Sequence, residues 1–353
     1  MNRLPQKVSL VTQAAAVILE EIASGRWIGS LPGEHELCAH LHVSRRTVRA
    51  ALEHLSRSGA VKCRHGRRRE IVKQRARTKP VSNRVLVLTP EPLQASSPLT
   101  VFLIGRLSEH LAEAGYVLET HSSRVPFRAR TPQELESLAK TLHPAGWVLL
   151  QSTESMQRWF AARGLPCVVV GSRYDGVALP SVDRDYGAVC HHAVNKTVAR
   201  GHKRLVLLSP RPPSAGDVIT ATGFREAVSK VAGLEGIVQE HDGSVASLCA
   251  QVEKLMSHAE PPTAFLVCRA RHVLTVLGQL LSTGIKVPDD VAVISRDDDS
   301  FLQDVVPTVA RYSHNKNLFA AKVSRVVMEM LRGELRAEDY KIMPLYIPGK
   351  TLG

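Results

Sequence analysis

A cluster of arginines on one amphipathic segment is the part of this sequence best suited to bind a nucleic acid. Residues 43–55 place apolar side chains at helical spacing, at Val48, Ala51, Leu52 and Leu55. Arg45, Arg46 and Arg49 lie off that stripe, and Ser44 is a candidate N-cap. Guanidinium groups on such a helix can bond DNA phosphates or the O6/N7 edge of guanine. Taken alone, the segment fits a solvated basic surface equally well.

The distribution of charge favours the nucleic-acid interpretation. The chain has 353 residues and a net charge of +13, and residues 1–79 hold 16 Lys+Arg against six Asp+Glu, a net of +10. The other 274 residues therefore carry only +3. A small basic head on a nearly neutral body predicts a polyanionic partner for the head alone.

The neighbours of the arginine segment predict a small helical domain with a β-hairpin. Residues 9–24 have the pattern of a first helix, Leu31–Leu37 opens a second, and Ser44 begins a third that ends before Gly59. Residues 60–64 and 68–72 then predict two short strands, joined by the basic tip His65-Gly66-Arg67. This order is that of a winged helix-turn-helix domain.

Several of these motifs together resemble the N-terminal domain of GntR-type bacterial transcription regulators. They are Leu31-Pro-x-Glu-x-Glu-Leu37, Val43-Ser-Arg-x-Thr-Val-Arg49, Ala51-Leu-x-x-Leu55, Gly59 and His65-Gly66. The resemblance implies that Ser44, Arg45, Thr47 and Arg49 lie in the major groove or on its phosphates. It also implies that the tip of the wing, His65 and Gly66, approaches the minor groove.

The head departs from this family at one position. His35 stands where the family usually has arginine, which removes one expected DNA contact. Arg46, Arg67, Arg68 and Arg69 could supply compensating phosphate contacts. The DNA-binding set predicted from the sequence is therefore His35, Ser44, Arg45, Arg46, Thr47, Arg49, His65, Gly66 and Arg67.

After a basic linker at residues 73–83, the pattern changes to short apolar runs alternating with helical segments. Val85–Leu88, Gly146–Leu150 and Pro166–Val170 are typical of buried strands, and the same rhythm resumes between residues 186 and 347. Lys341–Ile347 is predicted to be one last extended piece. The fold class is therefore α/β, with two lobes of parallel sheet and a ligand cleft at the carboxyl ends of the strands.

Residues 84–353 also carry a resemblance, to the effector-binding domain of LacI/GalR-type regulators. It rests on Val182-Asp-x-Asp-Tyr-Gly-Ala188, Arg200-Gly-His-Lys-Arg-Leu205, Gly223-Phe-Arg-Glu-Ala-Val228, Pro262-Thr-Ala-Phe265, Gly284-Ile-x-Val-Pro-Asp-Asp-Val-Ala-Val293 and Asp297-Asp298. The resemblance implies a periplasmic-binding-protein-like fold of two lobes, a homodimer and a small ligand, commonly a sugar, in the cleft. The domains expected are residues 1–72, the linker 73–83, and 84–353.

The departures from this second family fall in the expected pocket. Thr220 replaces an arginine, Arg269-Ala270 replaces Asn-Asp, and Arg296 replaces an aromatic residue before the retained Asp297. Arg269 and Arg296 would favour an anionic ligand if both point into the cleft. The alternative is that they form ion pairs with Asp297, Asp298 or Asp299.

Other classes of protein find less support in the sequence. It contains no phosphate-binding Gly-x-x-x-x-Gly-Lys-Ser/Thr loop, no Gly-x-Ser-x-Gly elbow and no Gly-x-Gly-x-x-Gly after a strand, so no catalytic residue, cofactor or metal ligand is assigned. The six cysteines form no C-x-x-C pair, and they predict buried free thiols in a reducing cytoplasm. No apolar run is long enough to span a membrane.

The sequence therefore predicts a cytoplasmic, homodimeric regulator, a repressor that binds a pseudo-palindromic DNA operator and is controlled by a small effector. The effector would be a sugar or a sugar derivative, with an anionic one favoured by the two arginines. A ligand-independent activator or architectural protein whose pocket has decayed remains the alternative.

Overall fold

The computed structural model describes residues 10–23, 26–27, 29–57, 61–62, 69–71, 82–124, 127, 132–334 and 336–353. The chain forms two compact units, a head of residues 1–80 and a body of residues 81–353. No helix within the described ranges combines the length and apolarity that crossing a bilayer requires.

The head contains three helices followed by a two-stranded hairpin. Their bounds are α1 (Leu10–Ala23), α2 (Glu34–Leu41), α3 (Arg45–Arg57), β1 (Val61–Lys62) and β2 (Glu70–Ile71). The strands are antiparallel, with Val61 opposite Ile71. These elements follow the order predicted from the sequence, and α2 begins three residues later than Leu31 suggested.

The apolar stripe of α3 forms the centre of the core of the head. Val48, Ala51, Leu52 and Leu55 are fully buried, and they pack with Ile18 of α1. The backbone N–H of Leu31 donates to the carbonyl oxygen of Arg69 at 2.9 Å. This bond ties the start of the second helical segment to the wing, so that both elements are held beside α3.

The first lobe of the body is a six-stranded sheet with helices on its faces. Its elements are β3 (Arg84–Thr89), α4 (Pro98–Glu113), β4 (Val117–Ser122), α5 (Pro132–Leu142), β5 (Gly146–Leu150), α6 (Glu154–Arg163), β6 (Cys167–Val170) and β7 (Ser181–Arg184). The described strand order is β13-β7-β6-β5-β3-β4, and every pairing is parallel. The edge strand β13 (Asp339–Ile342) comes from near the end of the chain.

The second lobe repeats this arrangement. Its elements are α7 (Tyr186–Val198), β8 (Arg204–Pro210), α8 (Ala215–Ser229), β9 (Glu235–His241), α9 (Val245–Met256), β10 (Ala264–Val267), α10 (Ala270–Ser282), β11 (Ala292–Ser295), β12 (Ala310–Ser313) and β14 (Leu345–Ile347). The described strand order is β14-β12-β11-β10-β8-β9, in which only β14 is antiparallel to its neighbour. The two parallel sheets confirm the predicted α/β fold.

The C-terminal part of the chain serves both lobes. Helix α11 (Lys316–Leu331) packs on the first sheet, where Phe319, Val323 and Val327 join its core. The prediction of one extended piece at Lys341–Ile347 is wrong, because β13 and β14 belong to different sheets. Pro344 lies between them, and its missing N–H interrupts strand pairing at the point where the chain changes lobes.

Candidate DNA-binding face and effector cleft

The start of α3 is an exposed and capped helix end. The hydroxyl of Ser44 accepts the backbone N–H of Thr47 at 3.2 Å and lies 2.8 Å from the Thr47 hydroxyl. This is the N-cap that the sequence predicted. Arg45, Arg46 and Arg49 are all exposed on the helix whose opposite face is buried. The arginines therefore project from a rigid support.

One carboxylate organises the arginines of this face. Glu34, the first residue of α2, accepts the Nε of Arg49 at 2.9 Å and the Nε of Arg45 at 3.2 Å on the same oxygen, Oε2. Its other oxygen, Oε1, accepts Nη1 of Arg69 from the base of the wing at 3.4 Å. The hydrogen bond from Arg49 is the largest effect that lowers the pKa of Glu34 below its usual range. We call Glu34, Arg45, Arg49 and Arg69 the head cluster.

The head cluster has three positive charges and one negative charge, so it remains electropositive. Because Glu34 bonds Arg45 and Arg49 through Nε, it fixes the side-chain direction and leaves the terminal Nη groups available for a further acceptor. In the sequence, Glu34 was recognised only as part of a family motif. Its role as the carboxylate that anchors three arginines was missed. The acidic residue two positions after Pro32 was the available signal.

The other predicted DNA-binding residues divide into two groups. His35 and Arg46 are exposed and belong to the same two helices as the head cluster. His65, Gly66 and Arg67 lie outside the residues that the structure describes.

A second set of arginines lies in the body, at the carboxyl ends of the strands in lobe 2. Arg269 follows β10, and its Nη1 and Nη2 donate to the two oxygens of Asp217 at 2.8 and 2.5 Å. Arg296 follows β11, and its Nη1 donates to Asp217 Oδ1 at 2.9 Å. Asp217 is fully buried in the first turn of α8. One buried carboxylate thus holds both of the arginines that the sequence placed in the cleft.

Asp297 extends this network to the first lobe. Its carboxylate accepts Nε and Nη2 of Arg296 at 3.2 and 3.1 Å. On the other side, Asp297 Oδ1 accepts Nη1 of Arg184, the last residue of β7, at 3.3 Å. The Arg184–Asp297 pair therefore joins the two sheets. Asp183 Oδ1 lies 3.7 Å from Arg184 Nε and adds a third carboxylate. We call Asp183, Arg184, Asp217, Arg269, Arg296 and Asp297 the cleft network.

Electrostatic attraction outweighs burial at both aspartates of lobe 2. Burial alone would raise the pKa of Asp217, but Arg269 and Arg296 lower it below its ordinary value. The same competition, decided chiefly by Arg296 and Arg184, lowers the pKa of Asp297. Both carboxylates are therefore ionised at neutral pH, and the cleft network contains three positive and three negative charges.

The structure places the four predicted effector residues in one cluster, with unequal exposure. Arg269 is 30% and Asp297 14% exposed at the side chain, whereas Arg296 is only 2% exposed. Thr220 is fully buried, and its hydroxyl donates to Gly216 O at 2.6 Å and accepts Arg296 Nη1 at 2.8 Å. Thr220 therefore positions Arg296, while Arg269 and Asp297 are the accessible members. Arg269 and Arg296 therefore form ion pairs, which was the second interpretation of the sequence, and are not unpaired cations in the cleft.

Tyr186 forms part of the cleft where the chain passes from lobe 1 to lobe 2. The guanidinium carbons of Arg296 and Arg184 lie 4.2 and 5.1 Å from the centroid of its ring. A side chain at Gly216 would place its Cβ 2.8 Å from Tyr186 Cε2, so only glycine allows α8 to approach this closely. The cations of the cleft network are thus held against an aromatic face.

Asp217 and Arg184 are the cleft residues that the sequence analysis missed. Ser214-x-x-Asp217 was a recognisable capping box, and the Ser214 hydroxyl does accept the Asp217 N–H at 3.3 Å. That signal predicts a helix start but not a buried ion pair with residues 52 and 79 positions later in the chain.

Comparison with known families agrees with this division of the molecule. Residues 10–71 match the model of the bacterial regulatory proteins of the gntR family. Residues 194–352 match the model of a periplasmic binding protein-like domain. This chain is a transcription regulator with a gntR-family DNA-binding domain and a periplasmic binding protein-like domain.

Individual relatives are also transcription regulators. The regulator is 22% identical over 338 residues to the arabinose metabolism transcriptional repressor of Geobacillus stearothermophilus. The alignment covers 88% of this chain and 86% of that protein. It is 26% identical over 177 residues to the regulator CelR of Thermobifida fusca, covering 48% of this chain and 52% of that one. A solved complex of a transcriptional regulator CelR with cellobiose has the same fold, with a TM-score of 0.66 at 19% identity over 98% of this chain and 100% of that chain.

Proposed function

We propose that this regulator is a repressor that binds a pseudo-palindromic DNA operator as a homodimer and releases it in response to a small effector. The observation that supports DNA binding most directly is the head cluster. Arg45 and Arg49 are exposed and share one anchor, and no residue of the described ranges bonds their terminal Nη groups, which can take an outside acceptor. Phosphate oxygens and the guanine edge are acceptors of the geometry that such guanidinium groups bond.

The effector that fits the cleft is a sugar or a sugar derivative. The accessible edge of the cleft network offers donors at Arg269 and acceptors at Asp297, and hydroxyl groups need both. One arabinose metabolism repressor and a solved CelR complex with cellobiose are among the proteins that it resembles. Because Asp217 and Asp297 together balance the charges of Arg269 and Arg296, these arginines do not by themselves select an anion.

Through the Arg184–Asp297 pair, the effector can change the relative position of the two lobes. It is the member of the cleft network that bridges the two sheets, at 3.3 Å. A ligand hydroxyl that bonds Asp297 competes with Arg184 for the same carboxylate, so it stabilises one relative position of the lobes over another. A ligand shifts a conformational equilibrium only through such differential contacts.

Helix α10 supports the homodimer. Leu274 and Leu281, two turns apart on this helix, are 45% and 79% exposed, and Val245 at the start of α9 is 66% exposed. Apolar side chains that share a helix face in contact with water are typical of a surface that another protein covers. Two copies related by a two-fold axis would present two heads to two inverted half-sites.

One observation favours a second candidate, a DNA-binding regulator that senses no ligand. Asp217, Arg296 and Thr220 satisfy one another and are almost fully buried. A cleft whose central polar groups are already paired can be a purely structural element. In that case the head would bind DNA constitutively.

In vitro selection from random-sequence duplex DNA, followed by fluorescence anisotropy, tests both candidates. The proposed function predicts that selected sequences contain two inverted half-sites, and that at least one sugar from a panel of pentoses, hexoses and disaccharides weakens binding tenfold or more. Inverted half-sites with affinity unaffected by every sugar or sugar acid would support the second candidate. Recovery of no preferred sequence would contradict both.

A further inference from the structure

Two buried histidines meet at the rim of lobe 2, outside the cleft network. His241 is the last residue of β9, and His272 lies in the first turn of α10. They are 3% and 4% exposed. Their ring centroids are 4.7 Å apart, and the ring planes are nearly perpendicular, at 78°.

The hydrogen bonds of each ring determine where its proton lies. Nδ1 of His241 accepts the backbone N–H of Gly243 at 3.1 Å, so the neutral ring carries its proton on Nε2. Nε2 of His272 accepts Nε of Arg271 at 3.2 Å, so that ring carries its proton on Nδ1. Burial lowers the pKa of His241, and it lowers that of His272 to about 4, which keeps both rings neutral at physiological pH.

Both of these protonated nitrogens lack an acceptor within the described part of the chain. His241 Nε2 and His272 Nδ1 are buried side-chain atoms with no hydrogen-bond partner. Stacking cannot satisfy both, because in an edge-to-face pair the edge of only one ring is directed at the face of the other. A buried donor without a partner is costly, so each of these two N–H groups is a candidate contact for a bound molecule.

The donors and acceptors of the two imidazole rings indicate which chemical group would bind to them. It presents two donors, and its two acceptor nitrogens are already used by Gly243 and Arg271. A hydroxyl would bring a proton of its own for which neither ring has a free acceptor. A carboxylate brings two acceptor oxygens and no proton, so it matches a pair of N–H donors.

The charges that face the pair are compatible with an anion. Arg269 and Arg271 act on both rings, and they oppose Asp217, which acts on both, and Asp242, which acts on His241. Asp217 is itself neutralised within the cleft network, so a carboxylate at the rings meets no unpaired negative charge from it. Arg269 is also the most exposed arginine of the cleft network, and its charge acts on both rings, so the pair is electrostatically coupled to the cleft.

We propose that His241 and His272 form a carboxylate subsite that makes the effector a sugar acid rather than a neutral sugar. The inference rests on the proposed function, because it extends the same cleft. It changes the physical origin of anion selectivity, from arginines that are already paired to imidazole N–H groups that are not.

Calorimetry and histidine-ring NMR on the full chain test the subsite. The probes are matched pairs of sugar acid and parent sugar: gluconate and glucuronate against glucose, and galacturonate against galactose. At least one acid should bind at least tenfold more tightly than its parent. That acid should shift the two imidazole N–H protons downfield and protect them from exchange, and the parent should leave them unchanged.

The variant His272→Phe separates binding from structure. It removes one unpaired donor and keeps an aromatic ring, so its melting temperature should equal or exceed that of the wild type, while its affinity for the acid falls at least tenfold. His202→Phe is the control, because His202 precedes β8 at the opposite end of the same sheet. It should leave acid binding unchanged.

The outcomes distinguish this inference from the function on which it rests. If a neutral sugar releases operator DNA and no acid binds more tightly than its parent, the subsite is refuted and the proposed function stands. An acid that binds equally well to His272→Phe, or a fixed water between the rings with no shift on titration, also refutes the subsite. If no acid or sugar binds, the effector part of the proposed function fails as well.

Discussion

The regulator has two clusters of three arginines held by shared carboxylates, and the clusters differ in charge balance and in burial. In the head cluster three arginines share one carboxylate on an exposed face, where the Arg45 and Arg49 side chains are 66% and 57% exposed. In the cleft network three arginines meet three aspartates, and the Arg296 side chain is 2% exposed. The first cluster has excess charge directed at solvent, whereas the second is balanced and enclosed.

This difference shows how balance and burial determine what an arginine can do. Keeping an exposed guanidinium charged costs little free energy, and such a group can exchange its partner for a DNA phosphate. A buried guanidinium must keep its carboxylate, because an uncompensated charge away from water is strongly unfavourable. The head cluster is therefore suited to bind an external anion. The cleft network is suited to fix the relative position of the two sheets and to rearrange as a unit.

The largest effect is expected at the centre of the cleft network. Asp217→Asn removes the carboxylate that two arginines share, and breaking a buried pair of this kind costs about 3–5 kcal/mol of unfolding free energy. Urea denaturation followed by circular dichroism measures it. Glu226→Gln, at a 61% exposed side chain of the same helix, is the control and should change stability little.

The same variant should change the response to acid. Asp217 and Asp297 have lowered pKa values in the folded state, so their ionised forms contribute stability that is present above about pH 4 and lost as the pH falls. Asp217→Asn removes one of these groups and should unfold with a weaker pH dependence below pH 4. An unchanged acid profile, or a stability loss under 1 kcal/mol, would show that the network is not the buried unit described.

A smaller effect, on binding rather than stability, is expected in the head cluster. Arg49→Ala or Arg45→Ala should weaken operator binding by about 1–3 kcal/mol while the melting temperature stays near that of the wild type. Anisotropy with the selected operator measures the affinity. Arg26→Ala removes another exposed arginine of the head, one paired with Glu21, and should have little effect. Wild-type affinity in both head-cluster variants would contradict the assignment.

The proposed dimer would link the two clusters, because a change in the cleft would then have to act on two heads at once. Leu281→Asp puts a charge on the exposed apolar face of α10 and should weaken self-association at least tenfold, with operator affinity falling in parallel. Sedimentation velocity and anisotropy measure the two effects. Leu345→Asp, at an equally exposed leucine on an edge strand, is the control. An unchanged dimer would place the interface elsewhere.

The smallest effect is expected from the anchor of the head cluster. Glu34→Gln frees Arg45, Arg49 and Arg69 from their shared carboxylate, which is a partly exposed interaction of about 0.5–1 kcal/mol. Non-specific DNA affinity should rise, since one negative charge is gone. Discrimination between operator and random DNA should fall, since the side chains lose their fixed direction. Competition anisotropy with both DNAs measures the ratio, and improved discrimination would overturn this view of Glu34.

The sequence predicted local structure well where one segment contains all the information. The stripe from Val48 to Leu55 specified α3 and its buried face, and Ser44 caps it as expected. The alternation of apolar runs and helical segments was enough to predict two parallel sheets. In each case the relevant spacing lies within a dozen residues.

What the sequence could not supply are partnerships between distant residues. Arg269 and Arg296 were recognised, but their shared partner Asp217 was not, because a capping box gives no indication of what lies across the sheet. The division of 341–347 between two sheets was missed for the same reason, since periodicity predicts a strand but not its neighbour.

The shared C-terminus has a consequence for how the chain is made. The core of lobe 1 needs Phe319 and Val323 of α11, and its sheet is completed by β13, some 150 residues after β7. Lobe 2 in turn needs β14 and Leu352. During synthesis, both lobes therefore remain incomplete until residues 339–352 have left the ribosome. A chain that stopped at residue 338 would lack one strand of each sheet.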